Sequence, residues 1–427
     1  MRILCTADLH IGRVSSRLRE GTDSTAFTTR AAWLRVVDLA LTEKVDAVAV
    51  AGDVIDASGN YFEAFGPLET GLRRLSGAGI ETFLVAGNHD FDSLPRFCDQ
   101  FRDPRVHLLG RGGVWQRHTL AREGVPRLHI DGWSFRAADH RANPLLGYRC
   151  ERDATPVLGL LHSDVEGAYS SYAPCSPAEL LSAGPTLWLL GHIHRTNQWS
   201  TSSAIAFYPG SPQALDPGER GVHGAWVIDW PPGSPPALRH CPLSTMRYET
   251  LALGLDGCDD EPMIEAALHG LLEEKLRAGA AEAGPLALLT CRVRLQGRTK
   301  RHSHLARHGW PRIDQLCRTA QGVTAVIERV EVDTRPVLDL DVLSQGTSPP
   351  SFLARLLLAL ERGENHPLLG AAQQHIETAF RTMSVDGDSE PGGEAAPTQE
   401  IPDAARVRAL LLTQGHRMLG QLVDPAP

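Results

Sequence analysis

Met1-Arg2-Ile3-Leu4-Cys5-Thr6-Ala7-Asp8-Leu9-His10 opens the chain with an apolar run of strand length that ends on two metal-ligating side-chain types, Asp8 and His10. The same pattern recurs four times downstream. Apolar runs lead into Gly52-Asp53, Gly87-Asn88-His89-Asp90, His162 and Gly191-His192-Ile193-His194. In an open α/β sheet, residues just beyond the carboxyl ends of the strands gather at one edge, where ligands bind. The five motifs therefore predict a single site. Asp and Asn oxygens mixed with imidazoles suit manganese, iron or zinc, and the absence of Cys beside these motifs disfavours a thiolate site. Asp8, His10, Asp53, Asn88, His162, His192 and His194 are too many ligands for one ion. If Asp53 bridges, two ions about 3.5–4 Å apart each take four protein ligands and keep open positions for water and a phosphate oxygen.

Working outward, strands are predicted at 2–7, 46–52, 82–86, 127–131, 156–161, 186–190, 204–208 and 224–229. Helical spacing covers 31–41 and the stretch from about Phe62 to Leu75. A layered α/β core over 1–240 follows, and the run Pro231-Pro232-Gly233-Ser234-Pro235-Pro236 marks a loop with a boundary near 240. Residues 241–345 read as a smaller α+β unit, with a strand near 247–253, a helix near 261–277 and strands near 286–295 and 323–333. Residues 346–427 read as a helical tail suited to binding a partner. Phe352, Leu353, Leu356, Leu357 and Leu360 form one apolar stripe, and a second helix over 402–422 follows a Gly/Pro/Glu-rich linker at 386–400.

A chain of 427 residues is long for one domain. Its 42% hydrophobic and 22% charged residues are ordinary for a globular protein. No apolar run is long enough to span a membrane, and the N-terminus lacks the pattern of a signal peptide. Eight scattered cysteines without a C-x-x-C pair fit reduced thiols, so a cytoplasmic location is expected. Net charge is −9, and acidic residues outnumber basic ones in each of the three segments. That balance argues against strong autonomous DNA binding, which needs phosphate neutralisation. One basic run stands out: Arg298, Lys300, Arg301 and Arg307, with His302, His304, His308, Arg312 and Trp310 among them. It reads either as a solvated loop or as a contact to the DNA backbone.

The five motifs resemble the signature of the calcineurin-like metallophosphoesterases over about residues 1–230. The resemblance implies two packed sheets flanked by helices. It assigns one ion to Asp8, His10, Asp53 and His194, and the other to Asp53, Asn88, His162 and His192. It makes His89 the group that contacts the scissile phosphate and protonates the leaving oxygen, with Asp90 as its support. A narrower resemblance is to the SbcD-type DNA repair nucleases, carried by Ala7-Asp8-Leu9-His10-Ile11-Gly12, by Ala51-Gly52-Asp53-Val54-Ile55-Asp56, and by Tyr208-Pro209-Gly210-Ser211-Pro212 ahead of Glu219-Arg220-Gly221. It implies manganese, a DNA substrate with exonuclease and endonuclease action, a capping domain, and an SbcC-like coiled-coil ATPase as partner. A homodimer stays open. Archaeal and eukaryotic relatives tend to carry a histidine where Asp56 stands, so that histidine's role is not transferred. The alternative function is a small-molecule phosphodiesterase or a phosphoprotein phosphatase, which would use the same ligands.

Overall fold

The computed structural model describes residues 1–19, 22–56, 61–151, 153–167, 169–280, 284–311, 313–364, 370–372, 374–376, 378–379 and 404–423. The linker expected at 386–400 and Arg312 lie outside these residues, as do the side chains of Tyr61 and Phe62.

Twelve strands build two six-stranded sheets: β1 (Arg2–Thr6), β2 (Ala47–Ala51), β3 (Glu81–Val85), β4 (Val106–Leu108), β5 (Gln116–Arg122), β6 (Val125–Trp133), β7 (Val157–His162), β8 (Leu187–Gly191), β9 (Asn197–Ser200), β10 (Ile205–Tyr208), β11 (Gly224–Asp229) and β12 (Ala237–Pro242). The first sheet runs β12-β11-β1-β2-β3-β4 and the second β5-β6-β7-β8-β10-β9. Within them β1-β2-β3-β4 and β6-β7-β8-β10 are parallel. Alternation along β1 and β2 sorts the side chains by face. Leu4, Val48 and Val50 join the helices Thr29–Thr42 and Tyr61–Gly77 in one core, while Ile3, Cys5, Ala47, Ala49 and Ala51 pack with Leu128, Leu158, Leu160 and Leu189 of the second sheet in another. A third cluster, with Trp188, Trp133 and Tyr208, covers the outer face of the second sheet.

The eight core strands expected from the sequence are all present. The four it missed, β4, β5, β9 and β12, are the four edges of the two sheets. An edge strand pairs on one side only and need not be apolar, and β5 is almost wholly exposed or half-exposed.

Two compact units divide the chain, and neither is contiguous: Met1–Glu249 with Glu273–Cys291 and Cys317–Glu328, and Thr250–Leu272 with Arg292–Leu316 and Arg329–Pro427. Strands β13 (Met246–Gly254), β14 (Leu288–Thr299), β15 (Cys317–Ala320) and β16 (Val323–Pro336) form a sheet ordered β13-β14-β16-β15. In the second unit the helices Pro349–Arg362 and Ala404–Val423 pack on each other. Leu357 and Leu360 of the expected stripe are buried in that contact together with Leu419, while Phe352 stays exposed.

Gly159 of β7 lies opposite Trp188 of β8, whose fully buried ring occupies the space a Cβ would need. Gly159→Val should therefore destabilise the protein by about 1–3 kcal/mol through overpacking. A urea unfolding midpoint equal to wild type would contradict this.

Candidate metal centre

Asp8 and His10 leave the end of β1 through left-handed backbone, with φ of 52° and 43°, and Asp53 does the same after β2 at 48°. Non-glycine residues rarely hold this conformation, and it persists where surrounding bonds over-determine it. Those bonds are present. The Asp8 amide donates to the Gly52 carbonyl at 3.1 Å, His10 to Asp53 at 2.9 Å and Ile11 to Val54 at 2.9 Å, so the first two motif loops are laced together. Gly191 is required by space, since a Cβ there would strike the Ala51 carbonyl and the His162 ring.

All the expected ligands converge. The groupings Asp8–His10–His194, His10–Asp53–His89 and Asp8–Asp53–His162 each bring their ligand atoms within 4.8 Å of one another. His10 Nε2 lies 3.1 Å from His194 Nε2, and His162 Nε2 lies 3.0 Å from Asn88 Oδ1 and 3.4 Å from Asp53 Oδ2. His192 stacks edge-on against His162 at 5.3 Å between ring centres. Asp8 and Asp53 are both buried, and Asp8 Oδ2 has no hydrogen-bond partner among the described residues. A buried carboxylate oxygen without a donor costs several kcal/mol unless a cation meets it. The donor set and this orphaned oxygen fit divalent ions.

Further polar groups orient the imidazoles. His162 Nδ1 donates to the Ala51 carbonyl at 3.0 Å, His10 Nδ1 faces Asp56 at 3.3 Å and His194 Nδ1 faces Glu219 at 2.6 Å. Each contact occupies Nδ1 and leaves Nε2 for a metal, the usual way a ligand tautomer is fixed. Burial works against the His194 proton, but the Glu219 hydrogen bond and the charge of Asp8 outweigh it and raise the pKa to about 9. For His192, burial and the neighbouring His162 lower it to about 3. Glu219 was missed as a functional residue in the sequence, where it appeared only within Glu219-Arg220-Gly221. Its signal is a carboxylate following Gly-His-x-His, and only the fold brings the two together. Tyr172, 4.8 Å from the His192 ring and partly exposed, carried no sequence signal.

His89 is the accessible member, with 40% of its side chain exposed. Its amide donates to Asp53 Oδ1 at 3.0 Å, and its Nδ1 lies 3.6 Å from Asp56 Oδ1. The support at this ring is thus Asp56. Asp90 serves the backbone instead. It is fully buried and accepts from the Gly87 amide at 2.7 Å, Val54 at 2.7 Å and Ile55 at 3.3 Å, pinning the second loop to the third. Burial, with the charge of Asp53, lifts its pKa to about 7.

The basic run lies elsewhere in the chain's division, and part of it is helical (His302–His308) rather than loop. Arg298 pairs with Glu361 at 3.3 Å, Lys300 with Asp259 at 2.7 Å and Arg301 with Glu261 at 3.8 Å. Arg307 has an interaction of its own, and His302 is buried against Thr334 at 3.0 Å.

Residues 1–196, which carry every ligand above, match the calcineurin-like phosphoesterases. They form a calcineurin-like phosphoesterase domain. The domain belongs to a superfamily of metal-dependent phosphoester hydrolases whose fold binds two divalent ions. Residues 248–335 match the middle domain of metallophosphoesterase YhaO. Similar proteins include the uncharacterized metallophosphoesterase YhaO of Bacillus subtilis, 29% identical over 47% of this chain and 49% of that protein, so the match spans about half its length. The SbcD subunit of nuclease SbcCD from Rhodobacter capsulatus is 28% identical over 69% of this chain and 80% of its own. The DNA double-strand break repair protein Mre11 of Methanopyrus kandleri is 23% identical over 55% of each. No helix among the described residues is long and apolar enough to cross a membrane.

Glu219→Gln keeps the size of the side chain but removes the charge facing His194. It should weaken one of two metal-binding steps about 10- to 100-fold and spare the other. Calorimetric metal titration giving two unaltered affinities would exclude that role.

Proposed function

We propose that the protein is a two-metal DNA nuclease that hydrolyses phosphodiester bonds during repair, acting on duplex ends and internally, in association with an SbcC-like coiled-coil ATPase. The observation that carries this reading is the convergence of the donor groups around the buried Asp8, His10, Asp53 and His162, on a chain whose similarity to the SbcD subunit of a nuclease extends over most of that protein. The acidic balance of the chain favours a partner that holds the DNA.

In this reading Asp8, His10, Asp53 and His194 hold one ion, Asn88, His162 and His192 hold the other, and Asp53 serves both. Manganese is the preferred metal, with iron and zinc compatible with the same donors. The bound ions supply Lewis-acid charge for the phosphoryl oxygens and an activated water. Asp53 holds the His89 amide at 3.0 Å and so fixes the third motif loop against the second. Asp56 faces His89 Nδ1, leaving Nε2 as the donor toward the departing sugar oxygen. Left-handed backbone at Asp8, His10 and Asp53 holds the ligands ready without rearrangement.

The second reading is hydrolysis of a small phosphodiester by the same centre, which would use the same donor set. Cleavage of a labelled duplex with manganese separates the two: the nuclease reading expects DNA products, whereas turnover of a small diester alone would select the second reading.

His89→Asn should retain both ions while the rate of duplex cleavage falls about 100-fold or more, because a proton donor is lost and the ligand set is not. Wild-type turnover on a substrate with an alkoxide leaving group would remove His89 from that role. Asp53→Ala is expected to lower occupancy of both ions together. Elemental analysis finding two full equivalents in the purified variant would refute the bridge.

A further inference from the structure

At the opposite ends of the same strands, where β1, β2, β6 and β7 begin, lies a cleft of about 550 Å³. That is the size range of small-molecule sites. Val125, Pro126, Pro156 and Pro231 give it apolar walls, and the almost wholly buried Trp230 also lines it. Its rim is cationic. Arg122 is ion-paired with Asp46, whose other oxygen accepts the Arg2 amide at 2.8 Å, so the only acid among the described residues lining the cleft is already neutralised. Arg127 also lines the cleft and has no acidic partner among the described residues. An unpaired guanidinium over apolar walls calls for a ligand with a flat apolar body and an anionic group, because a fork of N–H donors matches phosphate.

We propose that this cleft binds a nucleotide, its base against the proline walls and its phosphate on Arg127. Inorganic phosphate lacks the apolar body and a nucleoside lacks the anion, so each should bind far less well than the two joined. The site is remote from the metal ligands along every strand it shares with them, which makes it a second site, independent of what the metal centre hydrolyses.

Hydrogen–deuterium exchange on the metal-loaded full chain tests this with dAMP, inorganic phosphate and deoxyadenosine. The expected result is that dAMP slows exchange at 122–128, 154–157 and 230–234, with phosphate and deoxyadenosine giving little effect at the same concentration. Arg127→Gln, an exposed substitution, should weaken the dAMP effect at these segments about tenfold and leave any protection of the metal loops unchanged. No slowing at the three segments, an equal effect of phosphate alone, or an Arg127→Gln response equal to wild type would each overturn the proposal.

Discussion

Two buried carboxylates, Asp8 and Asp53, lie on either side of one buried imidazole, with His162 Nδ1 3.8 Å from Asp8 and Nε2 3.4 Å from Asp53. Such charge is tolerated in an interior only against cations or many donors. Much of the site's architecture can be traced to holding these two groups in place. The left-handed turns expose their oxygens to the centre, the laced loops keep those turns from relaxing, and Gly191 lets the last loop approach closely enough for the His192 amide to reach Asp8 Oδ1 at 2.9 Å. Asp90 contributes from beneath, its carboxylate bound by three amides of two neighbouring loops.

The division of labour between the two faces of the first sheet serves the same end. Valine and leucine on one face anchor the helices, while the alanines of β2 on the other face allow the second sheet to pack closely. That packing brings β7 and β8 beside β2, and so sets His162 and Gly191 against Ala51. Without the second sheet the loops after β1, β2 and β3 would carry four of the seven donors, and His162, His192 and His194 would be missing. A strand-end site built by two sheets is rigid because the loops after β2, β7 and β8 each spring from a fully buried strand.

The second unit follows a different physical logic. Its cations are matched locally by acids: Arg298 with Glu361, Lys300 with Asp259, Arg301 with Glu261. Exposed pairs of this sort contribute little to stability, but they lower the local positive potential that a phosphate backbone would meet. The helices of the tail likewise satisfy much of their apolar stripe on each other. Both features were ambiguous in sequence, since a basic run or an amphipathic helix has the same composition whether its partner is external or lies in the same chain.

The sequence by itself determined the inner strands, the main helices and every candidate ligand, because an inner strand must be apolar on both faces and a ligand must carry a particular donor atom. Asp8, His10, Asp53, Asn88, His162, His192 and His194 were readable for that reason. The tertiary structure alone decided what depends on distance between remote segments. It placed the edge strands β4, β5, β9 and β12, whose half-exposed pattern leaves no periodic signal. It paired His194 with Glu219 and His89 with Asp56, and turned Asp90 from the imidazole toward three backbone amides. Side-chain chemistry is written residue by residue, whereas the partner of a carboxylate is set by which loops the packed sheets bring within hydrogen-bonding distance.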